Sequence, residues 1–213
     1  FLESRDEVFD CIVKFMKWFR LRTGKDIYHL HTDGAGEFNS DELHKHLESV
    51  GCDYSTSAPR VPQHNGEVER FHRTLLNLAR VLIADSGLEK AIWVEAISFS
   101  AFVLNRIRVI KSIGKTPYEI ITGDKPYLGH VLRFGTRCYY LDRRIQTNKL
   151  DNRGIPGVIV GMDEDGLTYR VFDPESEKVI RIKEVTVAKE SPLRNKENKY
   201  PPAPSPENET SLL

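Results

Sequence analysis

The sequence predicts an α/β domain followed by a small all-β module and a polar tail. Three observations carry this reading. Residues 6 to 105 alternate stretches of helical apolar period with short β-rich runs. Past Pro117 the texture changes to short β-rich runs split by Asp-Glu-Asp-Gly and Asp-Pro-Glu-Ser turns. Residues 191 to 213 are rich in Pro, Ser, Asn and Glu and nearly free of large apolar groups, the composition of a disordered tail.

The elements follow in order. Val8, Ile12, Phe15, Met16 and Phe19 recur at helical spacing and Gly24 supplies a stop, so the spacing predicts an amphipathic helix over residues 6 to 22. Ile27 to Thr32 reads as a strand that delivers Asp33 to the Gly34-Ala35-Gly36 turn. Asn39 with Glu42 resembles a capping box, opening a short helix to Val50 that Gly51 ends. Cys52 to Ser57 is a second strand, and residues 58 to 66, with two prolines and Asn65-Gly66, are a loop. From Glu67 the helical pattern returns, with Phe71, Leu75, Leu78 and Leu82 on one stripe, and another apolar helix runs from about Lys90 to Asn105. Thr136 to Leu141, Ile155 to Gly161, Leu167 to Asp173 and Lys178 to Val187 form the β module. The expected organisation is a core over 1–122, a linker over 123–132, the β module over 133–190 and a tail over 191–213. Trp18 and Trp93 read as core aromatics, and His44 and His46 as surface residues on different faces of one helix.

Composition narrows the function. With 213 residues the chain can bury a sizeable core. No window approaches a membrane-spanning run and no signal-peptide pattern opens the chain, which predicts a soluble protein. The three cysteines, Cys11, Cys52 and Cys138, lack paired spacing, so neither a zinc finger nor a disulfide framework is indicated, and a reducing compartment is the simplest inference. Phe1 in place of a starting Met suggests a piece of a longer polyprotein. The formal charge is zero but uneven: residues 33 to 59 carry one Lys against six acids, residues 60 to 118 nine bases against five acids, and residues 133 to 153 six bases against two acids. An acidic centre flanked by basic segments suits a metal with nucleic acid, although solvated faces share the pattern.

The sharpest feature is the placing of acids. Asp33 closes a strand, where an Asp serves either as a turn former or as a metal ligand. Glu67 and Glu69 open the long helix, where the dipole favours anions whatever their function. Asp33 and Glu69 are separated by 35 residues. A strand end and a helix start can converge, as paired metal ions roughly 3.5 to 4 Å apart require of their carboxylates.

Asp33-Gly-Ala-Gly-Glu-Phe, Ser57-Ala-Pro-Arg-Val-Pro-Gln-His-Asn-Gly-Glu-Val-Glu-Arg and Thr74-Leu-Leu resemble the integrase core of copia-type retrotransposons. The resemblance continues through Trp93-Val-Glu-Ala, Leu104-Asn-Arg, Lys115-Thr-Pro-Tyr-Glu, Phe134-Gly, Lys149-Leu-Asp and Tyr169-Arg-Val-Phe-Asp-Pro-Glu, so it covers nearly everything but the tail. It implies a ribonuclease-H-like integrase core without its first strands, followed by a small SH3-like β-barrel. It implies that Asp33 and Glu69 are catalytic and hold Mg²⁺ or Mn²⁺, with Glu67 the lesser candidate. The family's first aspartate is expected upstream of Phe1, and the His/Cys zinc module of the family is not in this chain; Asp6 and Asp10 read as a solvated helix face. The implied reaction is DNA 3′-end processing and strand transfer by a homo-oligomer in the nucleus, after a cytoplasmic particle stage, with the fragment itself inactive for want of one carboxylate.

Beside the acids, Arg70, Arg73, Asn77 and Arg80 lie along the helix of Glu69 and are candidate DNA contacts, the ordinary alternative being a solvated basic stripe. Gln63 and His64 in the loop are further candidates. So are Arg137, Arg143, Arg144 and Lys149 on the β module, where Arg133 and Arg153 add charge. One rival is a non-catalytic DNA-binding or assembly module from a decayed or host-adopted element. Another is a ribonuclease-H-like nuclease that cuts without joining.

Overall fold

Helix α1, Val8–Thr23, begins after a short 3₁₀ turn whose start Ser4 caps by accepting from Asp6 N. It stops at Gly24, whose φ of 66° is the left-handed conformation glycine tolerates. The computed structural model describes residues 4–57, 66–141 and 154–188, so the loop before the long helix, residues 142–153 and the tail expected over 191–213 lie outside the described residues. Strand β1, His29–Thr32, pairs in parallel with β2, Asp53–Thr56, and α2, Asp41–Ser49, connects them. Leu43 and Leu47 of α2 are fully buried with Cys52, and Phe9, Ile12, Met16, Leu30 and Tyr54 pack against them.

Helix α3 spans Gly66–Ser86, α4 Trp93–Ile107 and α5 Pro117–Thr122. The β module is a five-stranded antiparallel sheet built from β3, Arg137–Tyr140, β4, Ile155–Met162, β5, Tyr169–Asp173, β6, Lys178–Ile182, and β7, Val185–Val187. Its strand order is β6-β5-β4-β3-β7, with a bulge in the β4–β5 pairing between Ile159 and Gly161. A mixed α/β part followed by this sheet is the expected fold class.

One apolar core joins the two parts. Ala79 of α3, Ile92, and Ala96, Phe99 and Phe102 of α4 pack with Phe134 and with Val160 and Met162 of β4. Gly135 shows how closely they meet. Its φ is 83°, and a Cβ there would lie 2.6 Å from Ser86 Cβ and 2.8 Å from Ser86 Cα, so only glycine lets the chain cross the end of α3. Phe134 beside it is fully buried. Above this core, Arg170 of β5 grips Glu95 of α4: Nε donates to Oε2 and Nη2 to Oε1, both at 2.6 Å. Arg170 Nη1 also donates to Asp163 at 3.2 Å, and Arg181 holds the other oxygen of Asp163 at 2.9 Å. These bonds hold the Arg170 guanidinium more basic than usual.

Several local expectations are corrected. The cap of α2 is Ser40, whose hydroxyl accepts from Leu43 N, while Asn39 instead ends a 3₁₀ turn. Trp18 and Trp93 are 37% and 49% exposed, because Ile12 and Met16 on α1 and Ile92, Ala96 and Phe99 along α4 set the inward phase and both tryptophans fall off it. Phe15 is exposed for the same reason and stacks on Trp18, ring centroids 5.8 Å apart. His44 and His46 do lie on different sides of α2, but both are half-buried, edge-on to Tyr54 and Phe9 respectively. The run Lys178 to Val187 is two strands, broken at Lys183–Glu184. Helix α5 was not expected, although Thr116-Pro117-Tyr118-Glu119 is a capping box with Pro at the first helical position: Thr116 Oγ1 accepts from Glu119 N and Glu119 from Thr116 N.

Candidate functional site

The turn that carries Asp33 is pinned from both sides. Asp33 follows the last residue of β1 and its Oδ1 accepts from Ala35 N at 3.1 Å, an Asx turn. Gly34 has φ 74°, and a Cβ there would touch Thr56 at 3.6 Å, so the turn lies against the end of β2. Buried Thr32 completes a relay: Gly34 N donates to Thr32 Oγ1 at 3.3 Å, Thr32 Oγ1 meets the Tyr54 hydroxyl at 2.9 Å, and that hydroxyl donates to Phe38 O at 3.0 Å. Because Tyr54 donates to a carbonyl, Thr32 donates to Tyr54 and accepts from Gly34. Thr32 and Tyr54 thus hold the Asp33 turn, a positioning role sequence reasoning missed; a hydroxyl directly before a strand-end Asp was the available sign.

Asp33 itself is exposed. Glu69, the fourth residue of α3, is exposed as well, and Glu67 falls in the same first turn. The N-terminal end of a helix favours acidic residues such as these. Two exposed carboxylates are the oxygen donors a hard divalent ion takes. Among the described residues, no group of three or more His, Cys, Asp or Glu converges to hold a metal ion. Asp6 and Asp10 are exposed, as a solvated face requires.

The basic residues of α3 divide. Arg73, Asn77 and Arg80 are exposed and continue the stripe of Glu69 at helical spacing, with Arg80 Nη1 donating to Asn77 Oδ1 at 2.9 Å. Arg70 folds back toward the helix start, where its Nη1 would be 3.3 Å from a Cβ on Gly66. Arg137 is exposed at the start of β3, whereas Arg133 is tied to Asp85 of α3. Gln63, His64, Arg143, Arg144, Lys149 and Arg153 lie outside the described residues. No helix among the described residues is long and apolar enough to cross a membrane.

Comparison with known proteins supplies the context. Residues 136–201 match the family model of the retroviral polymerase SH3-like domain. The retrovirus-related Pol polyprotein from transposon TNT 1-94 of Nicotiana tabacum is 31% identical over 193 residues, 91% of this chain and 14% of the tobacco protein. The corresponding polyprotein from transposon RE2 of Arabidopsis thaliana is 28% identical over 152 residues, 71% of this chain and 10% of the plant protein. The chain therefore spans about a seventh or less of the length of these curated relatives. The catalytic core domain of HTLV-2 integrase, solved in complex with magnesium, aligns with 56% of this chain and 71% of its own at 25% identity and a TM-score of 0.42.

Proposed function

We propose that the chain, which belongs to the retrovirus-related Pol polyproteins of transposons, is their integrase segment and serves DNA integration: trimming the 3′ ends of the element's DNA and joining them to target DNA. What supports the proposal is that the chain carries both a pinned turn with an exposed Asp33 and an exposed α3 stripe that runs from Glu69 through Arg73 and Asn77 to Arg80.

In this reading Asp33 and Glu69 hold Mg²⁺ or Mn²⁺ through carboxylate oxygens. When bound, such ions activate a water or 3′-hydroxyl nucleophile and stabilise the leaving oxygen. The chain's own residues do the positioning. The Thr32–Tyr54 relay keeps the Asp33 carboxylate from swinging with its turn, so the ligand needs little ordering when the ion arrives. Arg73 and Arg80 contact backbone phosphates and Asn77 adds a hydrogen bond, which orients a DNA end along α3. Arg70, Arg137 and, outside the described residues, Gln63, His64, Arg143, Arg144 and Lys149 are proposed as further DNA contacts. A homo-oligomer acting on DNA in the nucleus completes the proposal.

The test is a strand-transfer assay on an integrase that contains this segment, with Glu69→Gln as the variant. Loss of joined product with DNA binding retained supports the proposal; joined product at the unmodified level overturns it. If the unmodified protein binds DNA and never joins it, a non-catalytic DNA-binding or assembly module takes its place.

A further inference from the structure

The face of the β1–β2 pair turned away from Leu30 and Tyr54 carries a cluster that the integrase proposal leaves unused. Strand alternation sets His29 and His31 on one side of β1, and the parallel register puts Ser55 opposite His31. The Ser55 hydroxyl lies 2.7 Å from His29 Nε2 and 2.8 Å from His31 Nδ1. The other nitrogen of His31, Nε2, is 3.1 Å from Ser57 Oγ. Both imidazoles are exposed, with ring centroids 6.4 Å apart and planes at 82°.

Two ring nitrogens from one rigid strand therefore converge on a single small oxygen. One hydroxyl hydrogen cannot satisfy two imidazole lone pairs, so in the free protein a ring N–H must donate to Ser55. The Ser55 hydroxyl then accepts from one imidazole and donates to the other; with both ring protons on the remote nitrogens, the two lone pairs instead face the point of convergence, where a cation can take them. The Ser57 hydroxyl is placed to set His31 as metal-binding histidines are set: in the tautomer whose Nε2–H donates to Ser57, the Nδ1 lone pair points at the Ser55 position.

We propose that His29 Nε2 and His31 Nδ1 chelate a divalent transition metal of the imidazole-preferring class, Zn²⁺ or Cu²⁺, with the Ser55 hydroxyl and water filling the remaining positions. Imidazole suits these metals, whereas Mg²⁺ and Mn²⁺ take carboxylate and water oxygens, so the site is chemically distinct from the Asp33–Glu69 pair. The proposal does not rest on the integrase reading, and it holds or fails whatever reaction the chain serves. Ser57 is a positioning residue that fixes the His31 tautomer.

The experiment adds one equivalent of Cu²⁺ to the full chain and counts coordinated nitrogens by electron paramagnetic resonance, then displaces the signal with Zn²⁺. The expected spectrum shows two imidazole nitrogens and loses intensity as Zn²⁺ competes. His29→Gln and His31→Gln each reduce the count to one nitrogen and weaken binding by about tenfold or more, the loss of the chelate's effective concentration. His46→Gln, on the far helix, leaves both unchanged. A single nitrogen in the unmodified protein overturns the proposal irrespective of how the variants fold. Wild-type affinity in either His29→Gln or His31→Gln, or an equal loss in His46→Gln, overturns it as well.

Discussion

Replacing Glu95 by Gln tests how the helical pair is fastened to the β module. The substitution keeps the shape of the side chain and removes its charge, leaving the Arg170 guanidinium facing an amide that can accept only part of the bidentate contact. Breaking a fully buried ion pair by removing one partner costs about 3–5 kcal/mol. Here the side chains are 10% exposed for Glu95 and 24% for Arg170, and Asp163 still faces Arg170, so the cost falls to about 2–3 kcal/mol. For a chain of this size that converts to a melting temperature lower by about 4–12 °C. Thermal unfolding followed by circular dichroism reads it directly. Exchanging both partners for apolar residues, Glu95→Leu with Arg170→Met, should recover most of the loss, because the desolvation cost disappears with the pair and Asp163 keeps Arg181. A Glu95→Gln shift below about 2 °C, or a double exchange whose effect equals the sum of the singles within about 0.5 kcal/mol, refutes the reasoning.

Three further outcomes are expected. Gly135→Ala forces a Cβ against Ser86 backbone and Cβ atoms at a positive φ, so it should unfold the chain at a temperature at least about 10 °C lower, and an unchanged midpoint would show that the crossing of α3 is not as close as described. Asp165 and Asp173 are held below the usual carboxylate range, Asp165 chiefly by the Leu167 N–H and Asp173 chiefly by the Ser176 hydroxyl. Their stabilisation is therefore present above the unfolded value of about 3.9 and is lost as pH falls through the lower folded values. The drop in melting temperature between about pH 5 and about pH 2.5 should be smaller in the Asp165→Asn, Asp173→Asn double variant than in the unmodified chain; an identical drop contradicts the assignment. Arg73→Ala should weaken binding to duplex DNA of any sequence and lower the slope of affinity against salt by about one counterion, and an unaltered slope removes Arg73 from the interface.

How much of this was legible in the sequence differs by kind of interaction. Helices α1, α3 and α4 and strands β1, β2 and β4 were readable because their apolar period or β-rich texture is local. The Asp33 turn was readable too, since a strand-end Asp before Gly34-Ala35-Gly36 is local turn chemistry. Partners far apart in the chain were not. Glu95 lies within Trp93-Val-Glu-Ala and Arg170 within Tyr169-Arg-Val-Phe, and nothing local in either stretch says that they meet across 75 positions. Phe134-Gly135 stood out as a motif, yet its reason, the end of α3 pressed against Gly135, is purely tertiary. Trp18 and Trp93 were misread because residue type suggested burial while helical phase decided against it. Asn39 lost the cap of α2 to Ser40 by one position, the usual margin at helix ends. The capping box at Thr116 is local, but the helix it opens has six residues, too short for an apolar period to mark it.

The central claim is that Asp33 and Glu69 serve one divalent-metal site. Titration of the ¹⁵N-labelled chain with Mn²⁺ tests it most directly, because the paramagnetic ion broadens the amides near it whatever the activity. The expected result is that the amides of Asp33 to Ala35 and of Val68 to Arg70 broaden together at the same Mn²⁺ concentration, and that Asp33→Asn or Glu69→Gln abolishes the effect in both segments. Broadening confined to one of the two segments, or persisting in both after either substitution, would contradict the claim.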